Sequence, residues 1–158
     1  MARADALANL AADGALALVQ AIDSTADPTK WLTKPITKQR GGLAQAFMVE
    51  SKPAICIEVA GFKDALGSAG VHRPLLTIAG HCITEEGMNS EPNLVKLAAD
   101  FMTAILQDET LGGYVQRMMD DGFSYEPQTE LMLQSGLGIA TVSATFEAYF
   151  DHTTDNPS

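Results

Sequence analysis

Ile139-Ala140-Thr141-Val142-Ser143-Ala144-Thr145-Phe146-Glu147-Ala148-Tyr149-Phe150 is the stretch on which the reading of this chain turns. Ala140, Val142, Ala144, Phe146, Ala148 and Phe150 hold one parity; Thr141, Ser143, Thr145, Glu147 and Tyr149 hold the other. A period of two over this length predicts a strand with one apolar face on a core. The opposite, polar face should meet solvent or a partner, as in antiparallel sheets.

Upstream, residues 54–60 alternate in the same way, with Ile55, Ile57 and Val59 on one side and Cys56 and Glu58 on the other. Residues 44–49 read as a short strand and Ser51-Lys52-Pro53 as a turn, so the two strands are expected to form an antiparallel hairpin. Residues 75–83 make a third strand, followed by a turn over 84–89. The intervening 61–73 hold three glycines and read as a loop. Residues 114–119 read as a short helical turn, Asp120-Asp121-Gly122 as a turn, and 123–134, with Leu131 and Leu133, as extended chain.

Two segments carry the helical period. In residues 4–22 the stripe is Leu7, Leu10, Ala11, Leu18 and Ile22, with Gly14 weakening it slightly. The second opens on Ser90 as N-cap, with Glu91 and Pro92 in its first turn, and carries Leu94, Leu97, Ala98, Phe101 and Ile105 on one face. Core packing explains that stripe without a ligand. The sum is an α+β fold, a mainly antiparallel β-sheet packed against two helices, in a single domain of residues 1–158 with a frayed tail at 153–158.

The bulk numbers agree. The chain has 158 residues, 46% hydrophobic and 19% charged, which is a globular balance. No apolar run is long enough to span a membrane. Asp5 and Asp13 interrupt the alanine-rich start, so a secretory signal is not expected and the protein should stay where it is made. Cys56 and Cys82 match no metal spacing and are expected to be reduced and half-buried. Of the net charge of −10, residues 100–158 contribute −9, from ten acids against Arg117. Such acidity argues against tight nucleic-acid binding and would suit a surface that DNA slides past, although ordinary solubilising charge explains it as well.

Residues 28–42 stand apart. Pro28, Pro35 and Gly41-Gly42 bracket Lys30, Lys34, Lys38 and Arg40 with no acid among them, so the segment reads as a basic loop or arm. It is either simply exposed or a strip that meets an acidic neighbour; Trp31 inside it favours contact with some surface.

No catalytic template fits. There is no G-x-S-x-G; Gly61, Gly67 and Gly70 surround Lys63 without Walker spacing; Glu85-Glu86 and Asp120-Asp121 sit in turns. His81 and Cys82 are strand neighbours that point to opposite faces, which speaks against thiol catalysis and metal binding there. His72 and Arg73, just before a strand, could touch an anion. The expectation is a protein that is not an enzyme, with no cofactor and no metal.

The second half carries a family resemblance. A helix ending in Ile105-Leu106, then Asp108-Glu109-Thr110-Leu111-Gly112-Gly113, extended segments and a final Phe146-Glu147-Ala148-Tyr149 strand resemble the tail-terminator and minor tail protein U group of long-tailed phages. The motif likeness covers about residues 90–150, and the layout of the first half is compatible. The resemblance implies a virion structural protein, assembled in the host cytoplasm, that forms a ring, commonly a hexamer. Such a ring binds the last ring of the tail tube protein, stops polymerisation and presents a surface to head-completion or neck proteins, while DNA passes through its hole. It implies that Asp108, Thr110, Leu111, Gly112 and Gly113 form a family-like turn. Lys30, Trp31, Lys34, Lys38, Arg40, His72 and Arg73 are then candidate subunit or tube contacts. Two other readings stand beside it: another neck or tail ring protein, such as a head-closure or tube-like subunit, and a small ligand-binding or enzymatic domain.

Overall fold

The computed structural model describes residues 4–66, 72–85, 91–148, 150–151 and 156–157. Its elements are α1 (Ala4–Val19), β1 (Thr37–Arg40), α2 (Leu43–Ala46), β2 (Ala54–Leu66), β3 (His72–Thr84), α3 (Glu91–Ile105), β4 (Arg117–Pro127), α4 (Thr129–Ser135), β5 (Gly138–Glu147), β6 (Phe150–Asp151) and β7 (Asn156–Pro157). The main sheet runs β1-β2-β3-β5-β4, with β6 joined to β3 and β7 to β6. Only β1 pairs in parallel, with β2; every other ladder is antiparallel. The fold is α+β and mostly antiparallel, with four helices rather than two.

The parity of β5 is as expected. Ala140, Val142, Ala144, Phe146 and Ala148 are buried, while Thr141, Ser143 and Thr145 are half-buried. The apolar face continues through Leu76, Ile78 and Cys82 of β3 and Ile55 and Ile57 of β2, and α1 and α3 pack on it. α3 buries all five residues of its expected stripe; Ser90, the expected cap, lies outside the described residues. The buried stripe of α1 is shifted from the expected one. Ala8, Ala11, Ala12, Ala15 and Val19 face inward with Leu7, whereas Leu10 is exposed. Small side chains on this face let α1 approach α3 and the sheet closely.

Several boundaries are corrected. Residues 44–49 are not a strand: 43–46 form the helical turn α2, opened by a single bond in which the Gln45 side chain accepts from the Gly42 amide at 2.9 Å, glycine having no side chain to return it. The antiparallel partner of β2 is therefore β3, and their long hairpin absorbs most of the expected 61–73 loop; residues 67–71 lie outside the described residues. Part of the basic segment becomes β1, whose four polar residues gain strand structure only by pairing with Ala54–Ile57. No helical turn forms at 114–119, because Arg117 already pairs with Glu147. Asp120-Asp121-Gly122 is not a chain reversal; it belongs to an irregularity inside β4, between Met118 and Phe123, where the register slips. The expected extended run 123–134 ends at Pro127, and α4 follows with Met132 buried and Leu133 exposed. Of the expected turn over 84–89, Thr84 belongs to β3 and 86–89 lie outside the described residues. Within the tail, Asn156 and Pro157 pair with Asp151 and Phe150; 153–155 and 158 lie outside the described residues.

Candidate functional site

Four polar side chains meet on the sheet face away from α1 and α3. Register places His81 of β3 between Cys56 of β2 and Thr141 of β5. Glu58 Oε1 lies 2.6 Å from His81 Nε2, Thr141 Oγ1 lies 2.8 Å from His81 Nδ1, and Gln128 Nε2 donates to Thr141 Oγ1 at 3.1 Å. A carboxylate only accepts, so Nε2 donates to Glu58; in the neutral ring Nδ1 then accepts from the Thr141 hydroxyl, which in turn accepts from Gln128. One tautomer satisfies every member, with His81 itself buried. The chain of bonds ties β2, β3, β5 and the end of β4 together at about 1 kcal/mol per bond. Carboxylate, imidazole and hydroxyl stand in the order of a nucleophilic triad. Thr141, however, sits mid-strand between β3 and β4, whose ladders occupy the amides that an oxyanion would need. The arrangement is a structural tie.

This tie was missed from sequence. Parity alone separated His81 from Cys82, as the structure bears out, but only the register reveals that His81 sits beside Cys56 and reaches Glu58 and Thr141. Both thiols are free and fully buried, not half-buried. Burial pushes the Cys56 thiol up, with a bond from Gln39 opposing, and pushes Cys82 up much further. Buried protonated thiols are inert. A thiol reagent at neutral pH should therefore modify neither cysteine in the native protein and both once denaturant is added; fast reaction in the native state would contradict this burial.

The basic arm is docked on its own chain. Asp100, a mid-helix residue of α3 only 1% exposed, accepts from the Leu32 amide at 2.9 Å, the Thr33 amide at 2.7 Å and the Thr33 hydroxyl. Trp31 is 4% exposed within the main core, so the surface it buries against is this chain's own. Lys30 lies over its ring at 5.0 Å and donates to Gln107 Oε1 at 2.9 Å. Lys38 donates to the carbonyls of Gln20 and Ile22 beyond the C-terminal end of α1, and Arg40 bonds Asp13 at 2.8 Å. Lys34 remains exposed, as does much of Lys30. The strip expected for partners thus spends Trp31, Lys38 and Arg40 internally. His72 and Arg73 take their places in β3 opposite Leu66 and Ala65; their side chains lie outside the described residues.

Asp108, Thr110, Leu111, Gly112 and Gly113 do form one compact turn. Asp108 accepts from the Thr110 amide and hydroxyl and from the Gly112 amide, and Thr110 Oγ1 accepts from Gly113. Those donors hold the Asp108 carboxyl below the usual carboxylate range, the Thr110 hydroxyl foremost. Gly112 and Gly113 adopt positive φ of 84° and 96°, and Leu111, at φ 51°, drives a fully buried side chain into the core. The motif is thus accounted for by local geometry.

A cleft of about 330 Å³ opens between α3, β4 and α4, lined by Leu94, Val95, Tyr125, Pro127 and Met132 with Glu91 among them. Burial first, then the nearby Cys82 and Glu91, pushes the Tyr125 phenol up. Neither a protein-family model nor a curated protein matches this chain. Among the described residues, no group of three or more His, Cys, Asp or Glu is placed to hold a metal, and no helix is long and apolar enough to cross a membrane.

Proposed function

We propose that the chain is a structural phage subunit that closes into a ring on the head-proximal end of the tail tube, ends tube growth and offers a surface to head-completion proteins. The observation that carries this reading is the opposition of charge across the sheet. Lys30 and Lys34 are exposed on the β1 flank, where Asp13 is neutralised by Arg40 and Asp23, bonded to Thr25 in its own turn, also feels the charge of Lys34. On the far flank, Asp120, Asp121 and Glu126 of β4 and Glu130 of α4 are exposed, with Arg117 the basic residue of β4. β4 has no outer strand partner among the described residues, and β1 covers only the first four residues of β2. Attracting surfaces on opposite flanks favour a head-to-tail contact, and head-to-tail contacts repeat until the rotation closes a ring.

The likeness of residues 90–150 to tail terminators supplies the place of that ring, and six copies is the family's usual number. A net charge of −10 suits a channel through which DNA passes without being held. The test combines native mass measurement with electron microscopy of the protein mixed with purified tail tubes. A closed ring and density at one tube end are expected. A monomer at every concentration, with bare tube ends, would refute the proposal; a ring that ignores tubes would favour a head-closure subunit.

A further inference from the structure

Resting on that ring reading, we infer that residues 32–36 of one subunit dock in the cleft between α3, β4 and α4 of the next. The segment Leu32-Thr33-Lys34-Pro35-Ile36 displays Leu32 at 59% and Ile36 at 65% exposure, with Lys34 between them. Scattered exposed aliphatics are ordinary. These two differ because their backbone is fixed. Asp100 holds the Leu32 and Thr33 amides, Ser24 donates to the Thr33 carbonyl at 3.0 Å, and Ile36 donates to the Pro53 carbonyl at 2.8 Å. An apolar pair presented from an anchored backbone loses little further freedom on binding.

The cleft complements it in chemistry and in position. Its walls are aliphatic and aromatic, and Val95 among them is exposed at 48%. Glu91 lines it, and Glu130 next to the lining Thr129 offsets Lys96 next to the lining Val95, so a cation between two aliphatic side chains matches the charge of Glu91. Thr33 and Lys34 border Asn93 and Leu97 on the β1–β2 flank of α3, whereas the cleft opens on the β4 flank of the same helix. With α3 between them, the segment of one copy is placed for the cleft of a neighbour, which is the head-to-tail relation that a ring requires.

The experiment introduces one cysteine on each side, Leu32→Cys and Val95→Cys, both at exposed positions in a protein whose native thiols are buried. Under mild oxidation the double variant should give a disulfide-linked ladder whose highest rung equals the native ring mass, and neither single variant should give one. Lys34→Glu should weaken assembly about tenfold or more, and adding Glu91→Lys should restore most of it. A wild-type ring without any ladder from the double variant overturns the inference and leaves the ring standing. A wild-type monomer at every concentration overturns both. Dimers from Leu32→Cys alone mean a twofold contact and overturn it, as does a cleft that takes a small apolar molecule, seen as a raised melting temperature, without cross-linking.

Discussion

Asp100→Ala will release the arm from α3 before the rest of the molecule unfolds and will lower stability by about 3–5 kcal/mol. The carboxylate is 1% exposed, and its burial is tolerated because it accepts from the Leu32 amide, the Thr33 amide and the Thr33 hydroxyl. Truncation removes three bonds to a charged acceptor and leaves two amide donors to find water. The only tryptophan reports the event, since Trp31 adjoins those donors and is itself buried. In the variant, Trp31 emission should shift to the red at lower denaturant than the loss of backbone ellipticity, whereas in the wild type the two transitions coincide. Coincident transitions in both proteins, with a loss under 1 kcal/mol, would mean that Trp31 packing alone holds the arm; that threshold is about one ordinary hydrogen bond.

That contact marks the boundary of what the sequence discloses. A run of four basic residues without an acid reads as an exposed strip, and nothing local to residues 28–42 points to a carboxylate 67 residues downstream. β5 was legible because ten residues alternate with one face wholly buried, and α3 because its stripe holds over four turns. α4 was not: Leu131 and Leu133 alternate as a strand would, and seven residues are too few to separate the two periods. β1 carries no apolar residue at all, so its strand character comes from β2. At 43–46 no capping side chain announces the turn, since residue 42 is glycine, and the apolar run over 43–49 reads equally well as a strand. The Glu58–His81–Thr141–Gln128 tie needed register, which sequence parity does not fix. Finding a turn at 108–113 was straightforward from Gly112 and Gly113; knowing what it packs against was not.

What it packs against is Gly14, and Gly14→Ala should therefore cost about 3 kcal/mol or more, against the trend for glycine in helices. Ordinarily alanine in a helix interior gains about 1 kcal/mol over glycine. Here a Cβ at residue 14 would lie 2.0 Å from the Leu111 carbonyl oxygen and 2.8 Å from its carbon, and the obstruction is backbone, not a side chain that could swing away. The backbone of Leu111 has little room to retreat. Its own side chain is fully buried, its positive φ is fixed by the turn, and the bonds of Asp108 and Thr110 fasten the residues on either side. Either α1 must lift from the sheet, opening the seam lined by Ala11 and Ala15, or the turn must break. Denaturant titration should show the midpoint of Gly14→Ala falling well below that of Ala17→Gly. The latter lies at an exposed position of the same helix and should lose only about 1 kcal/mol. Amide exchange divides the two routes, with faster exchange at Gly112 and Gly113 if the turn yields and along α1 if the helix lifts. A Gly14→Ala protein more stable than wild type would show that helix propensity wins and that the turn does not rest on α1.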